Sequence, residues 1–160
     1  MVSETIIDIN NIDLKKEVCS KKDILELNPQ RYEFEQLDKV VHLDLDENIA
    51  VGVKYQKKDE FWVRGHVEGR PLMPGVLMVE MAAQLSSVLF HKKFDTKGKV
   101  FFGFAGVNNV KFRGVVDPDS EYVMTAKALR IKPRIAVIKA QGYVEGKLVF
   151  EGEVTGAVVG

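Results

Sequence analysis

The longest apolar run of the chain lies at its centre. From Val76 to about Phe90 most positions are apolar: Val76, Leu77, Met78, Val79, Met81, Ala82, Ala83, Leu85, Val88, Leu89 and Phe90. The run is too long for a strand and consists of good helix formers, so it predicts a helix. Its apolar residues fall on every side of a 3.6-residue turn, which predicts burial all round. Pro71 and Pro74 hold the chain out of helix until Gly75, since each lacks a donor and biases its predecessor away from the α region. His91, Lys92 and Lys93 return the helix to water and suit its negative end.

Elsewhere the period is two. Residues 37–45 predict a strand with Val41, Leu43 and Leu45 on one face and Val40 and His42 on the other. Ile49, Val51, Val53 and Tyr55 alternate as a second strand. After the helix, strands are predicted from residue 100 to 104, with 107–112 continuing it or forming the next, and then over 121–131, 135–144 and 148–159. Turn signals separate them at Lys97-Gly98-Lys99, Asp117-Pro118-Asp119, Lys132-Pro133-Arg134 and Glu145-Gly146-Lys147. A short helix over residues 23–27 follows Ser20 as N-cap and stops at Asn28-Pro29. Two strands, one long helix and four or five hairpin-connected strands make an α+β domain, an antiparallel sheet wrapped around a buried central helix. Residues 1–20, polar with scattered isoleucines, read as an N-terminal extension, and 21–160 as one domain.

Composition narrows the function. A net charge of +0 argues against a general nucleic-acid binder. Cys19 is the only cysteine, so no internal disulfide forms. The N-terminus lacks a basic region followed by an apolar core, so no signal peptide is expected. Glu80 interrupts the only candidate for a membrane span. The expected location is cytoplasmic. His42, His66 and His91 lack metal-ligand spacing, and no glycine-rich nucleotide loop is present, so neither a metal nor another cofactor is expected. His42 reads as a strand-face histidine.

Glu80 and Gln84 are four apart and share one face of the helix. A carboxylate in apolar surroundings is costly unless it is paired or neutral. A satisfied core pair explains them as readily as a site when spacing alone is considered. The surrounding motif changes that balance. Residues 64–84 read RGHVEGRPLMPGVLMVEMAAQ, which resembles the G-H-F-P-x-x-P-x-M-P-G-V-L-x-x-E-A-x-A-Q pattern of the β-hydroxyacyl-acyl-carrier-protein dehydratases. Two further segments resemble that family: Pro29, Arg31, Tyr32 and Phe34 within L-P-H-R-Y-P-F, and residues 110–119 within K-F-R-x-P-V-x-P-G-D. Val67, Glu68, Gln30 and Glu33 depart from it.

The resemblance implies the hot-dog fold over roughly residues 22–158. It implies dehydration of (3R)-3-hydroxyacyl thioesters on acyl-carrier protein to trans-2-enoyl thioesters in fatty-acid synthesis. His66 would be the base and Glu80 the acid. The amides of Gly75 and Val76 would polarise the thioester carbonyl, and Gln84 would orient Glu80 or its water. Phe61, Trp62, Met73 and Pro74 would line the acyl site, although core packing explains Phe61 and Trp62 equally well. The partners implied are acyl-carrier protein and a second copy of the chain, in a homodimer whose sites combine His66 of one subunit with Glu80 of the other. A trimer of dimers is left open.

These residue types suit the chemistry. A base removes the α-proton, an acid protonates the leaving hydroxyl, and a donor stabilises the enolate-like oxygen. Histidine titrates near working pH, a desolvated carboxyl holds its proton, and a helix N-terminus offers free amides. Two alternatives remain: a hot-dog thioesterase using the helix carboxylate to activate water, and a non-catalytic acyl-binding protein. Retention of both His66 and Glu80 argues against the last. Glu68 stands where the family places a cis proline; a trans bond between Val67 and Glu68 is expected, with the Glu68 carboxylate pointing outward.

Overall fold

A computed structural model describes residues 3–160. Six strands form one antiparallel sheet: β1 (Lys39–Asp44), β2 (Ile49–Gln56), β3 (Phe101–Phe112), β4 (Ser120–Lys132), β5 (Ile135–Val144) and β6 (Lys147–Val159). Their order across the sheet is β1-β2-β4-β5-β6-β3. Two helices accompany them, α1 (Lys21–Leu27) and α2 (Gly75–Lys93). The turns fall where glycine, proline and aspartate mark them. Glu145 and Gly146 both take positive φ, the backbone that a tight two-residue hairpin requires. Ser20 caps α1 through the amide of Asp23, and the Asp23 carboxylate returns to the Ser20 amide.

The sheet curls around α2, which packs on β2, β4, β5 and β6. This is the hot-dog arrangement. Leu77, Met78, Met81, Leu85, Val88, Leu89 and Phe90 are buried between helix and sheet. Burying each such side chain contributes about 1.5–3 kcal/mol. Small residues on the inner sheet face let the helix approach: Ala50, Ala126, Ala136 and Ala140 are all buried there. At Gly52 an added Cβ would stand 3.1 Å from Leu85 and 2.7 Å from Leu37. The helix axis therefore depends on that glycine as well as on the apolar residues.

Three features differ from the sequence pattern. First, α2 is not buried all round. Val76 is 74 % exposed, and Val79, Glu80 and Ala83 are only half-buried. These positions form one open stripe along the helix. Second, His91 does not reach water. It is buried, bonded to the Thr96 hydroxyl, and burial holds its pKa below the usual histidine value. The helix emerges at Lys92 and Lys93, where Lys93 Nζ donates to the carbonyl of Leu45 at 2.8 Å. Third, a bulge interrupts β1 between Val40 and His42. Val41 therefore faces outward, while Val40, Leu43 and Leu45 share the inner face.

The outer face has its own apolar cluster of Val41, Val51, Val53, Val123 and Tyr143. Ile7, Ile9, Ile12 and Leu14 of the N-terminal segment pack over it. Polar ties fix the segment at its start. Ser3 donates to Glu151, the Ile6 amide donates to Gln141 Oε1 at 2.9 Å, and Lys139 Nζ donates to the Glu4 carbonyl at 2.6 Å. The scattered isoleucines thus serve as a strap across the sheet.

Candidate active site

His66 sits in the irregular connection between β2 and α2. Trp62 and Met73, both buried in the core, anchor the two ends of its loop. The His66 amide donates to the Trp62 carbonyl at 3.0 Å, and the Met73 amide donates to Val116 at 2.8 Å. The ring of His66 lies 2.9 Å through Nδ1 from the Leu72 carbonyl. A carbonyl only accepts, so Nδ1 carries the hydrogen and the neutral ring keeps its lone pair on Nε2. That is the tautomer a general base needs. The ring is exposed. No peptide bond among the described residues is cis, so the bond between Val67 and Glu68 is trans, and Glu68 is exposed. Gly69, at φ 76°, takes the turn that brings the chain back to Pro71.

The start of α2 is uncapped: Pro74 occupies the N-cap and offers no side-chain acceptor. The leading amides of Gly75 and Val76 are therefore available to a ligand at the positive end of the helix. A Cβ at Gly75 would come within 2.8 Å of the Phe112 ring, which would then have to shift. Leu72, Met73, Gly75, Val76, Met78, Phe112, Gly114 and Val115 line an apolar depression over this helix start.

Glu80 lies one turn further along. Gln84 Nε2 donates to Glu80 Oε1 at 2.9 Å and to the Phe34 carbonyl at 2.6 Å. Gln84 Oε1 accepts from the Gln36 amide at 2.9 Å. A backbone amide can only donate, so this contact fixes which end of the Gln84 amide faces Glu80. The buried Asn28 side chain donates to the Gln84 carbonyl at 3.0 Å. Gln84 is thus saturated, and it locks Glu80 to the segment carrying Pro29, Arg31, Tyr32 and Phe34. Glu80 lines a cavity of about 140 Å³ with Gln30, Ala83, Gln84, Ser87, Phe101, Phe102, Gly103 and Phe104.

Within one chain these parts fall into two groups. His66 is tethered to Leu72, beside the depression at the helix start, and Glu80 lines the cavity bordered by β3. No residue lines both. Phe61 is exposed, Trp62 is core, Met73 borders the depression, and Pro74 is the N-cap; none of the four lines the Glu80 cavity. Sequence spacing does not reveal Gln36 and Asn28, because their partner Gln84 is 48 and 56 residues away. Among the described residues, no group of three or more His, Cys, Asp or Glu side chains is set to hold a metal ion.

The sequence model of the FabA-like domain matches residues 28–153. The chain belongs to the FabA-like family. It is 38% identical over 135 residues to a 3-hydroxyacyl-[acyl-carrier-protein] dehydratase FabZ of Caldicellulosiruptor saccharolyticus, covering 84% of this chain and 95% of that one. A FabZ of Lactococcus lactis is 38% identical over 136 residues, covering 85% and 92%. Among solved structures, the dehydratase heterocomplex ApeI:P from Xenorhabdus doucetiae superimposes with a TM-score of 0.72 at 13% identity, over 86% of this chain and 91% of that one. Cj0977 of Campylobacter jejuni gives 0.65 at 17% identity, over 90% and 95%. The structural likenesses support the same fold. The FabA-like family match and the sequence relatives place the chain among the (3R)-hydroxyacyl-acyl-carrier-protein dehydratases.

Proposed function

We propose that this FabA-like protein dehydrates (3R)-3-hydroxyacyl thioesters carried on acyl-carrier protein to trans-2-enoyl thioesters, as a hydro-lyase of fatty-acid biosynthesis. The observation that supports the reading is a Glu80 carboxyl held at a cavity by the saturated Gln84, in a chain whose His66 ring offers a free Nε2. The free Nε2 of His66 removes the α-proton. Glu80 delivers a proton to the leaving 3-hydroxyl, so that water departs and the carbon–carbon double bond forms. The amides of Gly75 and Val76 hold the thioester oxygen while charge builds on it. Gln84 sets the carboxyl orientation.

The active unit is a homodimer in which His66 of one subunit meets Glu80 of the other. Three features of the single chain support it: His66 is exposed, α2 keeps an open stripe, and the edge strand β3 exposes Phe101, Phe104, Val107 and Phe112. A solvated apolar edge of this kind calls for a partner. Among the described residues no helix is long and apolar enough to cross a membrane, and a cytoplasmic location suits an acyl-carrier-protein substrate.

The test incubates the purified protein with (3R)-3-hydroxybutyryl thioesters of acyl-carrier protein and of coenzyme A. Enoyl thioester should form, faster from the carrier-linked substrate. Release of free thiol without enoyl product would assign hydrolysis instead, and tight binding without turnover would assign an acyl-binding role.

A further inference from the structure

The cavity beside Glu80 has a direction and an end. Ala83 and Ser87 follow Glu80 along one stripe of α2, so the cavity lies along about 10 Å of helix at 1.5 Å per residue. Phe101, Phe102, Gly103 and Phe104 of β3, with Val154 and Gly156 of β6, make the facing wall. The next position on the helix stripe is Phe90, which is fully buried. Phe102 lies flat against it, with ring centroids 4.1 Å apart and planes at 16°. Phe94 backs Phe90 at 5.0 Å.

Phe102 can lie there only because residue 156 is a glycine. A Cβ at Gly156 would stand 2.1 Å from the Phe102 ring. The ring is therefore fixed from two sides, by the stack on Phe90 and by the glycine floor of β6. It does not swing away without breaking an aromatic pair worth about 0.5–1.5 kcal/mol beyond its burial. The space left above it is about 140 Å³.

We infer that the stacked pair Phe102 and Phe90 closes the acyl groove and restricts this enzyme to short 3-hydroxyacyl chains. The inference rests on the dehydratase reading above and names the substrate class of that same site. The groove favours short acyl groups, since each further methylene towards the Phe90 end must enter volume already filled by the Phe102 ring.

The experiment measures kcat/KM of the full chain on a series of carrier-linked (3R)-3-hydroxyacyl thioesters from about four to about twelve carbons. It is repeated with Phe102→Ala and with Phe102→Leu, whose smaller change guards against misfolding. The expected wild-type result is at least a tenfold fall between the short and long ends, within the 10–200-fold that one ill-fitting methylene commands. Phe102→Ala should raise the long-to-short ratio at least tenfold, and Phe102→Leu should raise it less. A flat wild-type profile, or a ratio unchanged in both folded variants, would overturn the length limit while leaving the dehydratase reading intact. Absence of dehydration at every length would overturn that reading and the limit with it.

Discussion

The sheet presents two apolar surfaces, and the chain treats them differently. On the outer face, Val41, Val51, Val53, Val123 and Tyr143 are covered by the protein's own strap, through Ile7, Ile9, Ile12 and Leu14. On the other side, the stripe of Val76, Val79 and Ala83 and the β3 residues Phe101, Phe104, Val107 and Phe112 are left wholly or partly open. Every residue proposed for chemistry borders the open surface or its loops. A surface the chain closes for itself serves stability. A surface left apolar and open is where the proposed substrate and second copy would bind.

The largest effect expected on the open side is chemical. His66→Ala and Glu80→Ala should each lower turnover by at least about two orders of magnitude, the size of a lost acid–base group. Their melting temperatures should stay close to wild type, since His66 is exposed and Glu80 half-buried. Near-normal turnover by either folded variant would break the assignment.

On the closed side the effect should be stability without chemistry. Removing residues 3–14 uncovers the outer cluster and should cost about 2–4 kcal/mol in urea unfolding, the order of one or two buried aliphatic side chains. The kcat of the fraction that stays folded should change little. A truncated protein of unchanged stability would mean that the strap merely rests on the sheet.

Val107→Asp sharpens the contrast. Val107 is 42% exposed on the edge strand, so a charge there should alter single-chain stability by no more than about 0.5 kcal/mol. The same charge should oppose edge-to-edge pairing. Sedimentation should show a shift toward monomer, with activity falling in parallel. A stable, active dimer would place the interface elsewhere.

The smallest effect concerns acid. Burial alone would raise the Glu151 pKa, but the bonds from Ser3 and Arg113 outweigh it and hold the group below its usual value. A depressed carboxylate contributes stability above its unfolded pKa, near 4.5, and that contribution is lost as pH falls through the folded value. The strap should therefore loosen only in acid. Glu151→Gln should flatten that acid limb and leave hydrogen-exchange protection of residues 3–14 independent of pH between about 3 and 5.

Much of this was legible in the sequence where the signal is local. The Ser20 cap with Asp23, the Pro74-Gly75 helix start, the Glu145-Gly146 hairpin and the extent of β5 follow from residues a few positions apart. The i, i+4 spacing of Glu80 and Gln84 foretold their hydrogen bond. What periodicity cannot say is which body covers an apolar face. Val51 and Val53 alternate correctly, yet they pack under the strap and not under the helix. The bulge after Val40 inverts the face of Val41 with no glycine or proline to mark it. The saturation of Gln84 by Gln36 and Phe34 is a long-range contact with no spacing to announce it. The open stripe of α2 reads as core because Val76, Val79 and Ala83 are as apolar as the residues that are buried.

If the site is shared between two copies, mixing the two inactive variants should rebuild it. His66→Ala and Glu80→Ala are combined under conditions where subunit exchange is verified, and turnover is followed. Random exchange between two-fold dimers leaves about one quarter of all sites with both groups intact, so activity should return toward about a quarter of wild type. A mixture that exchanges subunits and stays inactive would contradict the shared site.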